Sequence, residues 1–578
     1  EQSINPQSPI SQLSAVLFRK LALKSPVGVL NKPSNPENGN DDDNSSERNN
    51  NNNNNAGNAL IAKNISSIPN TTLIQLRRIL LKGFINRSIP ALLKHKISDA
   101  ISVCCLPELP DWEELITIIF SATTLDTSSG NKEENESNII LKESSFRILA
   151  SSPDLVIKID VENTIQLFEN GFADESYASN DMVKVTAVTA FVGYFKEMDK
   201  SQWKSLSVLL PSLLNSLPMF LDSGNDSALA AVIDPLIDLV DIAPKLFKDM
   251  FDDIIRFCDL VIKDKDLCSE ARLSALEMIV VFSDRAPIMC SQSPYFGDTS
   301  VFDCLYMISD ISNDEDSLEE WLDSTDENTM SGEEESEQGR QCLDRLSLNL
   351  GGEFLVPHLF KYLEPMLSSQ DWRENYGALM GLSAAAEGSC NVLIPQTVKL
   401  VEMIIPLTNH PHPRVQFAAC NTLGQLCTDF APHIGRVAHS LIAPALIAKI
   451  NTQSCDRVCT HAAAAMVNFS EHISKDVMAM YMDDLLTGLS CLLSNPKQYV
   501  QEQGLTSIAY SASASGKKFE KYYDTVMPVL AGILVSNGTD LKSLSDDQKK
   551  LIGKSIESIT LVAATCGKEK FSSYSQQF

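Results

Sequence analysis

The chain has 578 residues, more than one hydrophobic core supports, so it forms either several domains or a repeat array that grows along one axis. A hydrophobic content of 44% excludes global disorder, and a formal charge of -28 excludes a nucleic-acid grip built on clustered Lys and Arg; an acidic surface suits basic partners instead. The 14 cysteines, among them Cys104, Cys105, Cys420, Cys427 and Cys566, lack zinc-site or disulfide-framework spacing, and neither a signal peptide nor a run of roughly 20 uninterrupted apolar residues is present, so a soluble protein of a reducing, intracellular compartment is expected.

In chain order, Gln12–Lys20 reads as the second helix of a helical repeat. Residues 1–30 are therefore expected to be a partial repeat, and the chain to begin inside a longer protein. Residues 31–66 hold Asp41–Asp43 and the run Asn49–Asn55, a polar insertion that cannot bury enough apolar surface to order itself. Weaker repeats are expected over 67–303, with candidate second helices at Asp181–Phe191 and Glu270–Ile279.

Residues 304–341 carry an acidic segment. Asp314, Glu315, Asp316, Glu319, Glu320, Asp323, Asp326, Glu327, Glu333, Glu334 and Glu335 follow one another with no Lys or Arg among them. Such self-repelling text predicts a flexible loop within a repeat. Trp321, an aromatic inside the acid run, points to a docking segment that orders on a basic partner.

The strongest signal is the period over 342–578. Trp372–Leu382, Pro413–Leu423, Asp456–Met466 and Gln498–Ile508 fall into register at steps of about 42 residues, within the HEAT range. Each unit has two apolar stripes at helical spacing, for example Ile394, Val398, Val401 and Ile405, then Val415, Ala419, Leu423 and Leu426. The turn between them, Asn409–Pro413, stops the first helix and places Pro413 in the first turn of the second. The fold expected is all-α, a right-handed α-α superhelix of HEAT repeats.

Polar groups recur in phase with that period. Asp344, Glu387, Asp429 and Glu471 are 43, 42 and 42 positions apart, each near the end of a second helix, and Asn468 lies one turn before Glu471. Acids near a helix C-terminus oppose the macrodipole at a few tenths of a kcal/mol each, so helix stability does not explain them. With helix layers roughly 8–10 Å apart and an extended peptide advancing about 3.3 Å per residue, adjacent rungs would meet basic side chains some three residues apart, which suits a Lys-rich extended signal. The plainer alternative is a row of solvent-facing charges that keeps the surface soluble.

Catalytic signatures are missing: there is no phosphate-binding Gly-rich loop, no His-Glu-x-x-His and no Gly-x-Ser-x-Gly elbow. His410 with His412, and Cys455 with Cys459, are pairs without a second pair and do not make a metal site. A binding scaffold without cofactor is expected, not an enzyme.

The chain resembles the importin-beta family, within it the importin five or karyopherin beta three branch, at Asp371–Arg373, Gly377–Ala384, Pro411–Asn421, Thr428–Pro432, His461–Glu471 and Gly567–Phe571. The resemblance implies a monomeric nuclear import receptor that shuttles between cytoplasm and nucleus. It would bind basic cargo such as ribosomal proteins and histones on the concave face, release it to RanGTP, and pass pores by weak contacts with Phe-Gly nucleoporins, touching neither nucleic acid nor membrane. By residue match the branch's cargo contacts fall on Asp344, Glu387, Asp429 and Asn468, with Glu471 added from the periodicity; the Ran contacts fall on the acidic segment, at Asp314, Glu315, Asp316, Glu319, Glu320, Trp321 and Asp323. The asparagine-rich insertion departs from the family pattern. A HEAT scaffold of another class, such as a phosphatase scaffolding subunit, is the alternative.

Overall fold

The computed structural model describes residues 69–105, 109–125, 132–157, 159–172, 181–324, 333–452, 455–536 and 544–572. The expected partial repeat 1–30 and the insertion 31–66 lie outside them. Among the described residues every regular element is helical. Contacts divide the chain into two units, the first reaching Phe257 and taking in Asp266–Ser274, the second comprising Cys258–Lys265 and everything from Ala275 onward.

In the first unit the second helices Ala91–Val103, Lys132–Ser151, Asp181–Glu197 and Asp226–Ile242 pack in succession, each against the next. Asp181–Glu197 has helices on several sides, and Val183, Ala187, Val188, Ala190, Phe191, Tyr194 and Phe195 are all buried, more than one stripe of a helix. Phe168, from the helix Val161–Phe172, joins it to its neighbours, with ring centroids 6.3 Å from Phe146 and 5.4 Å from Phe191.

The second unit repeats the scheme. Its second helices are α2 (Glu334–Leu350), α3 (Trp372–Ala385), α4 (Pro413–Asp429), α5 (Asp456–Glu471), α6 (Gln498–Ser515) and α7 (Asp546–Cys566), each packed on the next, and an additional short helix, α1 (Glu315–Asp323), precedes them. Small residues set the close approach. A Cβ on Gly424 would stand 3.0 Å from the Cβ of Ala465, and Ala418, Ala419, Ala462 and Ala463 are fully buried.

Buried hydroxyls pin successive second helices together. Thr422 donates to the Leu379 carbonyl at 2.9 Å, Ser507 to Ala463 at 3.0 Å and Ser558 to Leu505 at 3.0 Å. Each meets a backbone oxygen already used in its own helix, so the bond costs no unpaired buried group. Helix starts are capped locally: the Asp371 carboxylate accepts from the Arg373 amide at 3.0 Å, and Ser545 with Gln548 forms a capping box on α7.

Two findings bear on the sequence reading: the first adds to it and the second corrects it. First, continuous helical stretches at Trp203–Leu221 and Cys390–Asn409 have the length and hydropathy of a membrane span. Each contains prolines and short 3-10 turns and serves as the first helix of a repeat, burying Leu206, Leu209, Leu210 and Leu213 in one case and Leu393, Leu400, Val401 and Ile404 in the other. Second, the segment 304–341 is not a loop throughout. Its start completes the helix Phe296–Ile308, its end begins α2, and α1 stands between; residues 325–332, including Asp326 and Glu327, lie outside the described set.

Candidate binding surface

Helices α2 to α5 carry the periodic polar groups at or near their C-terminal ends. Asp344 lies on α2 and is half-buried, Glu387 is exposed in the turn after α3, Asp429 is the half-buried last residue of α4, and Asn468 and Glu471 lie on the final turn of α5.

Two of the five, Asp344 and Asp429, feel the charge of a third, Glu387. Burial first, and then repulsion by Glu387 and Asp344, pushes the Asp429 carboxyl up to about 6, although Gln425 donates to both its oxygens at 3.0 and 3.1 Å and partly holds it down. Asp344 is likewise raised, by burial and by Glu387, with Arg340 opposing. The structure therefore brings Asp344, Glu387 and Asp429 into one electronegative cluster. Asn468 joins the row differently, donating to the Gly424 carbonyl of α4 at 3.4 Å. Glu471 is exposed at the end of α5.

Neighbours that periodicity did not single out complete the surface. Asn421 donates to Ser383 Oγ at 3.0 Å and lies 3.0 Å from His461 Nε2, tying α3, α4 and α5 together about two turns before Asp429. Arg340 pairs with Glu337 through both oxygens and lies near Asp344. The available signal was a polar residue within a stripe of small ones, at Ala418–Asn421.

The acidic segment is built in the opposite sense from the expected docking peptide. Asp314, Glu315, Asp316, Glu319, Glu320 and Asp323 are exposed, whereas Trp321 is 4% exposed. Its ring meets Phe417 edge-on at 5.6 Å, with the guanidinium of Arg457 at 4.4 Å and that of Arg414 at 5.2 Å. Arg457 donates to the Trp321 carbonyl at 2.7 Å, and Arg414, 1% exposed, pairs with Glu333. Two imidazoles line the same strip, His412 stacked on Trp372 at 3.8 Å and His461 on Phe417 at 4.0 Å. Burial and the adjacent arginines hold both imidazoles down at about 4, hence neutral at pH 7.

The physical reason for the correction is twofold. Glu315 and Asp316 sit in the first turn of α1, where acids favour the helix, and Trp321 finds desolvated cations in this chain rather than in a partner. Among the described residues no cluster of three or more His, Cys, Asp or Glu is arranged to hold a metal.

Comparison with known proteins places the whole chain. The family described as "IPO5-like, TPR repeats" matches residues 90–257, "Importin repeat" matches 264–357 and "HEAT repeat" matches 400–430. The chain is 46% identical over 578 residues to importin subunit beta-3 of Saccharomyces cerevisiae, covering all of this chain and 48% of that protein. Solved structures of Kap121p bound to Pho4p and bound to Nup53p superpose with a TM-score of 0.82 at 46% identity, covering 100% of this chain and 50% of theirs. A Kap121p variant with three acidic residues changed to lysine matches with a TM-score of 0.83 at 45% identity. The chain thus spans about half the length of the relatives it matches.

Proposed function

Since the chain belongs to the importin-beta family of nuclear transport receptors, we propose that it holds the signal-binding surface of an import receptor, a binding protein and not an enzyme. One observation carries the reading. Glu387 stands close enough to Asp344 and Asp429 to raise the affinity of both for protons, although nothing in the stacking of α2, α3 and α4 requires acids there. A cluster that repels itself is relieved by a cation, and a lysine ammonium supplies both the charge and three donors.

The rung spacing fits an extended Lys-rich segment. One exposed ion pair supplies only about 0–1 kcal/mol, so affinity needs several rungs together, with Asn421 and Asn468 able to supply hydrogen bonds to peptide backbone. Support comes also from the lysine variant of Kap121p. Its three altered residues are Asp, Glu and Asp, spaced by 43 and 42 positions, the same types, order and spacing as Asp344, Glu387 and Asp429.

The exposed acids of α1, with Trp321 as their anchor, are proposed to meet basic surface of RanGTP, which would release cargo in the nucleus. Cargo and Ran would exclude one another by preferring different curvatures of the repeats. Weak contacts with nucleoporins, for which the Nup53p complex of Kap121p is the precedent, would carry the receptor between cytoplasm and nucleus.

Fluorescence anisotropy with a labelled Lys-rich peptide tests the surface. The double substitution Glu387→Gln with Asp429→Asn is expected to weaken binding by roughly tenfold or more, and the wild-type interaction to fade with added salt. Unchanged affinity in the double variant would sink the assignment. Adding GTP-loaded Ran should displace the peptide, and GDP-loaded Ran should not.

A further inference from the structure

Helix α1 and Asn313 just before it touch the starts of four successive second helices. Asn313 accepts from Trp372 Nε1, at the start of α3, at 2.7 Å. Arg414, the second residue of α4, reaches the carbonyl and hydroxyl of Ser317 at 3.4 Å. Arg457, the second residue of α5, donates to the Trp321 carbonyl and lies under its ring. Asp323 stands 4.0 Å from Lys497, the N-cap of α6, which also pairs with Asp456 at 3.3 Å.

In a stacked array each repeat otherwise meets only its neighbours, and curvature accumulates from small independent rotations at each junction. One short helix bound to four of those units removes the independence. Its hold is concentrated in the buried indole and the two arginines, whereas Glu315, Asp316, Glu319 and Glu320 are exposed.

We infer that helix α1, with Asn313 before it, is an internal brace, which holds the junctions of α3, α4, α5 and α6 at one setting and through them the spacing of Glu387, Asp429 and Asn468. The consequence for binding rests on the cargo reading above; the brace itself does not. Asn421 and His461 lead from the clasp toward the acid row, since His461 packs on Phe417 of the clasp and meets Asn421, which lies about two turns before Asp429 on α4.

Hydrogen exchange on the intact chain tests it. Trp321→Ala should speed exchange by roughly tenfold or more in 315–323 and also in the first turns of α4 and α5, with α7 unaffected and Trp321→Phe largely restoring protection. Should the alanine variant fold poorly, Arg457→Met removes the carbonyl bond and the stacked cation while keeping the indole, and should give the same pattern. Acceleration confined to 315–323 overturns the brace. The affinity for a Lys-rich peptide should fall by roughly threefold or more in Trp321→Ala, because looser junctions no longer present the acids at one spacing. Faster exchange with undiminished affinity overturns the link to the acid row. Failure of the wild-type chain to bind the peptide counts against the cargo reading alone, and the exchange pattern still decides the brace.

Discussion

At Asp429 a carboxylate ends helix α4, where unpaired carbonyls, partial burial and two neighbouring acids all disfavour its charge and only Gln425 compensates. With its pKa near 6, the group is ionised at pH 7 and takes up a proton as the medium is brought to pH 5. An ammonium ligand needs the ionised form, so peptide affinity should be full above pH 7 and fall as pH drops through 6, by up to about tenfold per pH unit. The Asp429→Asn variant should bind more weakly and lose this part of the profile; an identical pH profile in the variant would refute the role. For folding the sign reverses. A raised carboxyl pKa favours the folded state while the group is protonated, and that contribution is lost as pH rises from the unfolded value near 4 through about 6. Asp429 therefore works against stability at neutral pH, as a group retained for binding would. That Asp344, Glu387 and Asp429 face one way was legible in their 43- and 42-residue spacing, because that spacing equals the repeat. Their mutual distance was not, since it depends on where each helix ends and its turn begins.

Among the elements, the turn after α3 shows how closely the acid row is positioned. Gly388 follows Glu387 directly, and a Cβ there would come 2.3 Å from the carbonyl carbon of Ser347 on α2. Only a residue without a side chain lets this turn lie against the preceding helix. Gly388→Ala should therefore cost about 1–3 kcal/mol by overpacking and move Glu387 away from Asp344, lowering peptide affinity beyond any change in stability. A variant with native melting temperature and native affinity would show that the backbone yields there at no cost. Helix α1 teaches the complementary lesson. Read alone, its acids predict repulsion and a loop, and local text contains no basic residue to suggest otherwise. The cations that order it, Arg414 and Arg457, come from 97 and 136 positions away, beyond the reach of any local pattern.

Over the whole molecule, a net charge of -28 makes long-range attraction of a basic ligand a property of the chain and not only of its binding row. The association rate of a Lys-rich peptide should fall by roughly tenfold or more between about 50 and 500 mM salt, with a smaller change in dissociation. A rate indifferent to salt in stopped-flow measurements would mean that only short-range contacts matter. The all-α repeat architecture was readable in advance because it is a sum of local signals: a 3.6-residue apolar stripe, a proline or capping residue at some helix starts, small residues where helices approach, and the same text again after about 42 positions. By itself, then, the sequence determined the helices of the later repeats and which acids recur in phase. The tertiary structure alone decided that three of those acids converge, that Gly388 seats one of them, and that Trp321 of the acidic segment is clasped by arginines of later repeats. Those outcomes depend on groups far apart in the chain, whose distances are set only when the repeats stack.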